Sequence, residues 1–190
     1  MAIVAGDLKK YLTGASSDGG AQTNPNSALG NYRSSTEITD NTDNNLFDDV
    51  SGSEASAGDT EYRCICLKNT HGTLSLQNAK VWVSTDEANA STTLSLALEV
   101  PTGGDTNGYA QTIGTESTAP TVGSGNVSAW YATSALNSYA NGIAVNQGSH
   151  DVNLDAGEIV FVWIKRVISA NAAAASGINF TIRLQGDTAA

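Results

Sequence analysis

The residues best suited to chemistry are Cys64 and Cys66, at i and i+2 in "TEYRCICLKN", in a chain with no other cysteine. At that spacing on a strand the two side chains share a face with Cα atoms about 6.5 Å apart, and a disulfide would require local backbone distortion. A zinc site would need two further ligands, and the two histidines, His71 and His150, stand isolated in polar turns. A nucleophilic role would need a basic partner to hold the thiol as thiolate, and none is indicated. The pair therefore reads as buried, reduced thiols packing as small hydrophobes.

The acidic stretch containing Asp40, Asp43, Asp48 and Asp49 invites a Ca²⁺ reading. Registered as an EF-hand from Asp40, it puts Asn45 where the loop needs Gly and Ser51 where it needs a bidentate Glu. Registers from Asp43 or Asp48 fail as well, so a solvated polar loop is expected. Nucleophile-elbow, phosphate-loop, zincin and dinucleotide-binding patterns are absent from the sequence. No enzymatic activity and no cofactor or metal are expected. Trp130 and Tyr131, in a Gly/Ser-rich passage, have two readings. One is a sugar-stacking platform, as in carbohydrate-binding modules; the other is packing over the end of the fold or in a subunit contact. Trp82 and Trp163 each lie in a strand candidate, facing away from their apolar neighbours, so that one caps the core while the other faces a partner.

Composition constrains what must position these residues. The 190 residues include 40% hydrophobic and 15% charged, with 19 Gly and 3 Pro. That mixture suits β-strands joined by Gly/Asn/Ser/Thr turns. A net charge of -10, with 9 scattered basic residues, argues against nucleic acid and against an anionic membrane surface as partners. "MAIVAGDLKK" has neither the basic nor the long apolar region of a signal peptide. The longest apolar run, "IVFVWI" (159–164), is too short to span a bilayer. These features predict a chain made in the cytoplasm.

Residues 1–55 and 56–190 differ in kind. In 1–55, two short strand candidates (7–13 and 32–38) flank the turn-rich "GASSDGGAQTNPNSALG", followed by an acidic, Asn-rich piece. Its apolar content predicts an extended N-terminal arm that orders on what it lies against, with Tyr11, Leu12, Tyr32, Leu46 and Phe47 as interface anchors. Residues 56–190 carry the period-2 signal. Strands are expected in "TEYRCICLKN", as a pair in "TLSLQNAKVWVST" with a turn at 77–79, and in "TTLSLALEV", with Leu94, Leu96 and Leu98 on one face. "EIVFVWIKRVI" and "INFTIRLQGD" follow, and the Ala-rich 168–177 is expected to be the tip of a hairpin joining them. In the last, Ile178, Phe180, Ile182 and Leu184 point inward. Residues 101–150 form a long irregular insertion, in which 134–145 has room for a short helix. The expected fold is all-β, an antiparallel β-sandwich of immunoglobulin-like or jelly-roll type.

Three segments carry a resemblance. Gly58–Arg63 (G-D-T-E-Y-R), Leu76–Trp82 (L-Q-N-A-x-V-W) and Ile182–Thr188 (I-R-x-x-G-D-T) resemble a family of small virion structural proteins of tailed bacteriophages. The resemblance implies a β-sandwich particle component without an active site, assembled in the host cytoplasm into the virion. Its partners would be the major capsid protein or other virion proteins and further copies of itself, a trimer among the options. A capsid decoration or cement protein on the outer head surface is the first expectation. A tail, baseplate or neck adaptor is the second, and a carbohydrate-binding or fibre domain the third.

Overall fold

The period-2 segments become strands, and the register of their pairing decides which residues meet. The computed structural model describes residues 2–86, 90–173 and 179–188. In chain order the strands are β1 (Leu8–Ala15), β2 (Gly30–Glu37), β3 (Asp59–Asn69), β4 (Leu76–Thr85) and β5 (Thr92–Glu99). They continue with β6 (Tyr109–Thr112), β7 (Tyr131–Ala132), β8 (Ile143–Ala144), β9 (Ile159–Ile168) and β10 (Thr181–Thr188). The protein is an antiparallel β-sandwich of a seven-stranded sheet, β6-β2-β1-β3-β9-β5-β7, and a three-stranded sheet, β10-β4-β8. The sheets are thus less equal than the four-and-three division of an immunoglobulin domain. No helix among the described residues is long and apolar enough to cross a membrane.

Two apolar clusters lie on opposite faces of the large sheet. One fills the space between the sheets with Ile65 and Leu67 from β3, Val81 and Val83 from β4, Leu94, Leu96 and Leu98 from β5, and Val160, Val162 and Ile164 from β9. The other holds Tyr62, Cys64, Cys66, Ala97, Ala110, Phe161 and Trp163. It sits inside a curl of the large sheet. The Trp163 indole, rooted on β9, donates to Glu99 of β5 and reaches to Gly30 of β2. Gly30 has φ 92°, and a Cβ there would lie 1.8 Å from the Gln111 carbonyl oxygen of β6, so only glycine lets β6 approach.

The N-terminal segment is part of this body, which corrects the expectation of an arm with little core. β1 lies between β2 and β3, and Leu12, Leu46 and Phe47 are buried in the cluster between the sheets. The segment looked core-poor because it fills its space with small or polar groups. The buried Thr13 hydroxyl, for example, donates to the Cys64 carbonyl and accepts from the Gly30 amide. Residues 101–150 supply β6, β7 and β8, and so both edges of the large sheet and one of the small.

Three local expectations also change. "LQNAKVWVST" is one strand, β4, bulged at Asn78 with φ 51° in place of a turn. β9 and β10 do not form a hairpin: both edges of β9 are taken by β3 and β5, so β10 pairs with β4 in the other sheet. Residues 134–145 hold the end of a 3-10 turn, bends and β8. Part of the Ala-rich tip, and Ile178 with it, lies outside the described residues. The only α-helix among them, α1 (Gly52–Ala57), starts from a capping box between Ser51 and Glu54.

Candidate functional sites: an arginine clamp and a tyrosine-lined cleft

Cys64 and Cys66 are free and fully buried at the centre of the large sheet. Burial pushes both thiols above their ordinary range, which keeps them protonated and poor nucleophiles. Among the described residues, no group of three or more His, Cys, Asp or Glu could hold a metal ion.

The anchor residues Tyr11, Leu12, Tyr32, Leu46 and Phe47 pack on their own chain. Arg63 of β3 is fully buried. It donates to the Leu46 carbonyl (3.2 Å), the Tyr62 carbonyl (3.2 Å) and Asn26 Oδ1 (3.2 Å), and it pairs with Glu116. Arg166 of β9 donates to the Asp48 carbonyl through both terminal nitrogens, at 3.0 and 3.1 Å, and pairs with Glu61. The Phe47 ring lies against both guanidinium groups, 5.3 Å from Arg63 and 4.5 Å from Arg166. Burial pushes the Glu61 carboxyl up, and the Arg166 contact opposes that shift. Two cations from adjacent strands thus hold the 46–48 backbone in one place. Arg63 carries the signal that predicts such a site: a charge inside an apolar strand buried on both faces needs buried partners.

Leu12 packs between the sheets, while Tyr11 packs against the curl and lies under Arg33, 4.9 Å from its guanidinium. Arg33 holds Asp18 through two hydrogen bonds of 3.0 and 2.7 Å. Asp18, Ser17, Tyr32, Thr102, Asn107 and Tyr109 line a cleft of about 290 Å³. The Tyr32 and Tyr109 rings are tilted against one another with centroids 5.3 Å apart. The 102–109 turn that carries Tyr109 is closed by paired hydrogen bonds of 2.9 and 3.0 Å between the Thr102 and Tyr109 backbones. The exposed Tyr109 ring and the half-buried Tyr32 ring, beside hydroxyl, amide and carboxylate groups, can contact and hydrogen-bond a polyhydroxylated ligand. No spacing in the sequence brings Tyr32 and Tyr109 together; the β2–β6 pairing does so.

Trp130 and Tyr131 differ in their surroundings. Trp130 is half-buried, packed against Tyr62 with ring centroids 5.8 Å apart and under Lys165 at 5.2 Å. Tyr131 is exposed on the edge strand β7. Trp163 is enclosed in the curl. Trp82 lies on the outer face of the small sheet, where its indole donates to Gln185 at 2.9 Å and Arg183 stands 5.8 Å over the ring. Comparison with protein-family models, with curated proteins and with solved structures finds no match for this chain.

Proposed function

We propose that this chain is a virion structural protein of a tailed bacteriophage, a capsid decoration protein that binds the outer head surface and acts by contact and not by catalysis. The observation that carries the reading is β10. It is eight residues long, pairs on one side with β4, and has no strand partner on the other among the described residues. An edge of that length is a ready template for another chain, and it suits a molecule whose surroundings are other proteins. The family resemblance of Gly58–Arg63, Leu76–Trp82 and Ile182–Thr188 points the same way. Many shallow contacts repeated by symmetry sum to large stabilisation of a shell through avidity. The N-terminal segment, being built into the sheet, acts here as part of the rigid body. Imaging of the assembled particle tests the reading: hundreds of copies on the head are expected, whereas about six to twelve copies at a neck or baseplate would favour the adaptor alternative. Absence of the chain from the particle would refute both.

The cleft favours a second reading, carbohydrate binding, with Tyr32 and Tyr109 in the role first considered for Trp130 and Tyr131. Glycan-array binding lost in Tyr109→Ala and kept in Trp130→Ala would support it, and no glycan binding would remove it.

A further inference from the structure

We infer that β10 pairs with β10 of a second copy, antiparallel and across a two-fold axis at Gln185, joining the two small sheets into one six-stranded sheet. The inference rests on the reading of this edge as an assembly contact, and it adds the occupant and the register.

Hydrogen-bond parity comes first. On β4, the Ala79 and Val83 amides donate away from β10, to Val152 and Leu136, and Leu76 exchanges hydrogen bonds with Leu154. Alternation then turns the main-chain groups of Gln77, Lys80 and Trp82 toward β10. Their register partners are Asp187, Gln185 and Arg183. The N–H and C=O groups of Ile182, Leu184, Gly186 and Thr188 consequently face the open edge. An antiparallel neighbour must pair these residues with one another. A two-fold axis at Gln185 does so, setting Ile182 opposite Thr188 and Leu184 opposite Gly186, for about eight inter-chain hydrogen bonds.

Charge selects this register from the others that parity allows. Arg183 and Asp187 both lie on the exposed face of β10. An axis at Gln185 places each Arg183 opposite the Asp187 of the second copy, twice over. An axis at Arg183 would set two arginines against each other, and an axis at Leu184 would face Arg183 with Gln185. Their intramolecular contacts are loose: Asp187 meets Asn78 at 3.4 Å, and Arg183 lies 5.8 Å from the Trp82 ring. On the other face, Ile182 and Leu184 are only half-buried although they pack on the core. In the pair, Leu184 would lie over Gly186, which offers no side chain, and meet the second Leu184 diagonally.

Sedimentation velocity on the purified chain tests the inference, with a shift expected from 19.5 kDa to twice that mass at high micromolar concentration. Arg183→Asp and Asp187→Arg should each weaken the dimer at least about tenfold by setting like charges opposite. The double exchange should restore it. Gln185→Cys should form an inter-chain disulfide on mild oxidation, because its Cα atoms would face one another in a non-hydrogen-bonded pair. Circular dichroism of each variant confirms that the fold is kept. A chain that stays monomeric, a dimer indifferent to both charge changes, or a Gln185→Cys variant that does not cross-link would each overturn the pairing. Location and copy number in the particle test the functional reading separately. A dimer that is absent from particles would sink that reading and leave the pairing standing.

Discussion

β3 and β10 belong to the same sandwich and are built on opposite terms. β3 is paired on both edges, with β1 and β9, and buried on both faces over most of its length. Its one buried cation, Arg63, is met by four partners from its own chain. β10 is paired on one edge, alternates between exposed and half-buried residues, and leaves its charged groups loosely held. Position in the sheet explains the difference in sequence: a central strand reads as near-continuous apolar residues, an edge strand as alternation. The contrast separates where this molecule stores stability from where it can meet another.

The most direct way to break the comparison is at Arg63. Arg63→Ala removes the donor to the Leu46 and Tyr62 carbonyls, leaves Glu116 without its cation and unseats the Phe47 ring. Glu116 is itself 38% exposed, so the cost comes from the two carbonyls left without a donor and from lost packing, about 2–4 kcal/mol in all. Denaturant unfolding should show a loss of that size, and limited proteolysis should find the 39–51 loop newly cleavable. A loss under about 1 kcal/mol would mean that the clamp contributes little to stability.

The cysteines sharpen the same point with a smaller effect. Cys66→Ser puts a hydroxyl into the curl and should cost about 2 kcal/mol, against about 1 kcal/mol for Cys66→Ala. In the native chain both thiols should resist aqueous disulfide reagents and react once the chain is unfolded. Fast native labelling would contradict their burial.

Glu99 tests the curl through pH. Its carboxylate accepts from the Trp163 indole at 2.6 Å and the Gln111 amide at 2.7 Å, yet burial pushes its pKa above the ordinary value. The folded chain therefore binds this proton more tightly than the unfolded chain. The stability it contributes is full below the unfolded pKa and is lost as pH rises through the folded one. Unfolding free energies measured upward from about pH 4.5 should fall, with a shallower fall in Glu99→Gln. The slope should not vanish, because burial also raises Glu61 and Glu158. An unchanged slope in the variant would show that Glu99 does not carry it.

Sequence patterning made the central strands legible because their apolar residues are dense: "EYRCICL", "TLSLALE" and "IVFVWI" all became strands of the large sheet. β1 and β2 were also visible as strands, but not as core. Leu12 and Thr13 are buried by neighbours far off in the chain, and composition undervalues a strand that packs with Thr, Ser and Gly. The clamp was half legible. Leu46 and Phe47 stood out as apolar residues in an acidic stretch, while their fastening to Arg63 and Arg166 depends on the β3–β9 register. The tyrosine cleft was not legible at all, since it exists only where β2 meets β6.

Arg183 gives the mildest test and the closest control, since it is the same residue type as Arg63 in the opposite setting. It is exposed on β10 and contacts the Trp82 ring. Removing an exposed cation–π contact costs at most about 1 kcal/mol. Arg183→Ala should leave the unfolding midpoint nearly unchanged when measured at a concentration low enough to keep the chain monomeric, so that any association does not add to apparent stability. An Arg183→Ala loss approaching that of Arg63→Ala would mean that β10 is held as tightly as the centre, and the division between a stabilising core and a free edge would fail. A near-silent substitution would show that the edge can change its charge without cost to the fold.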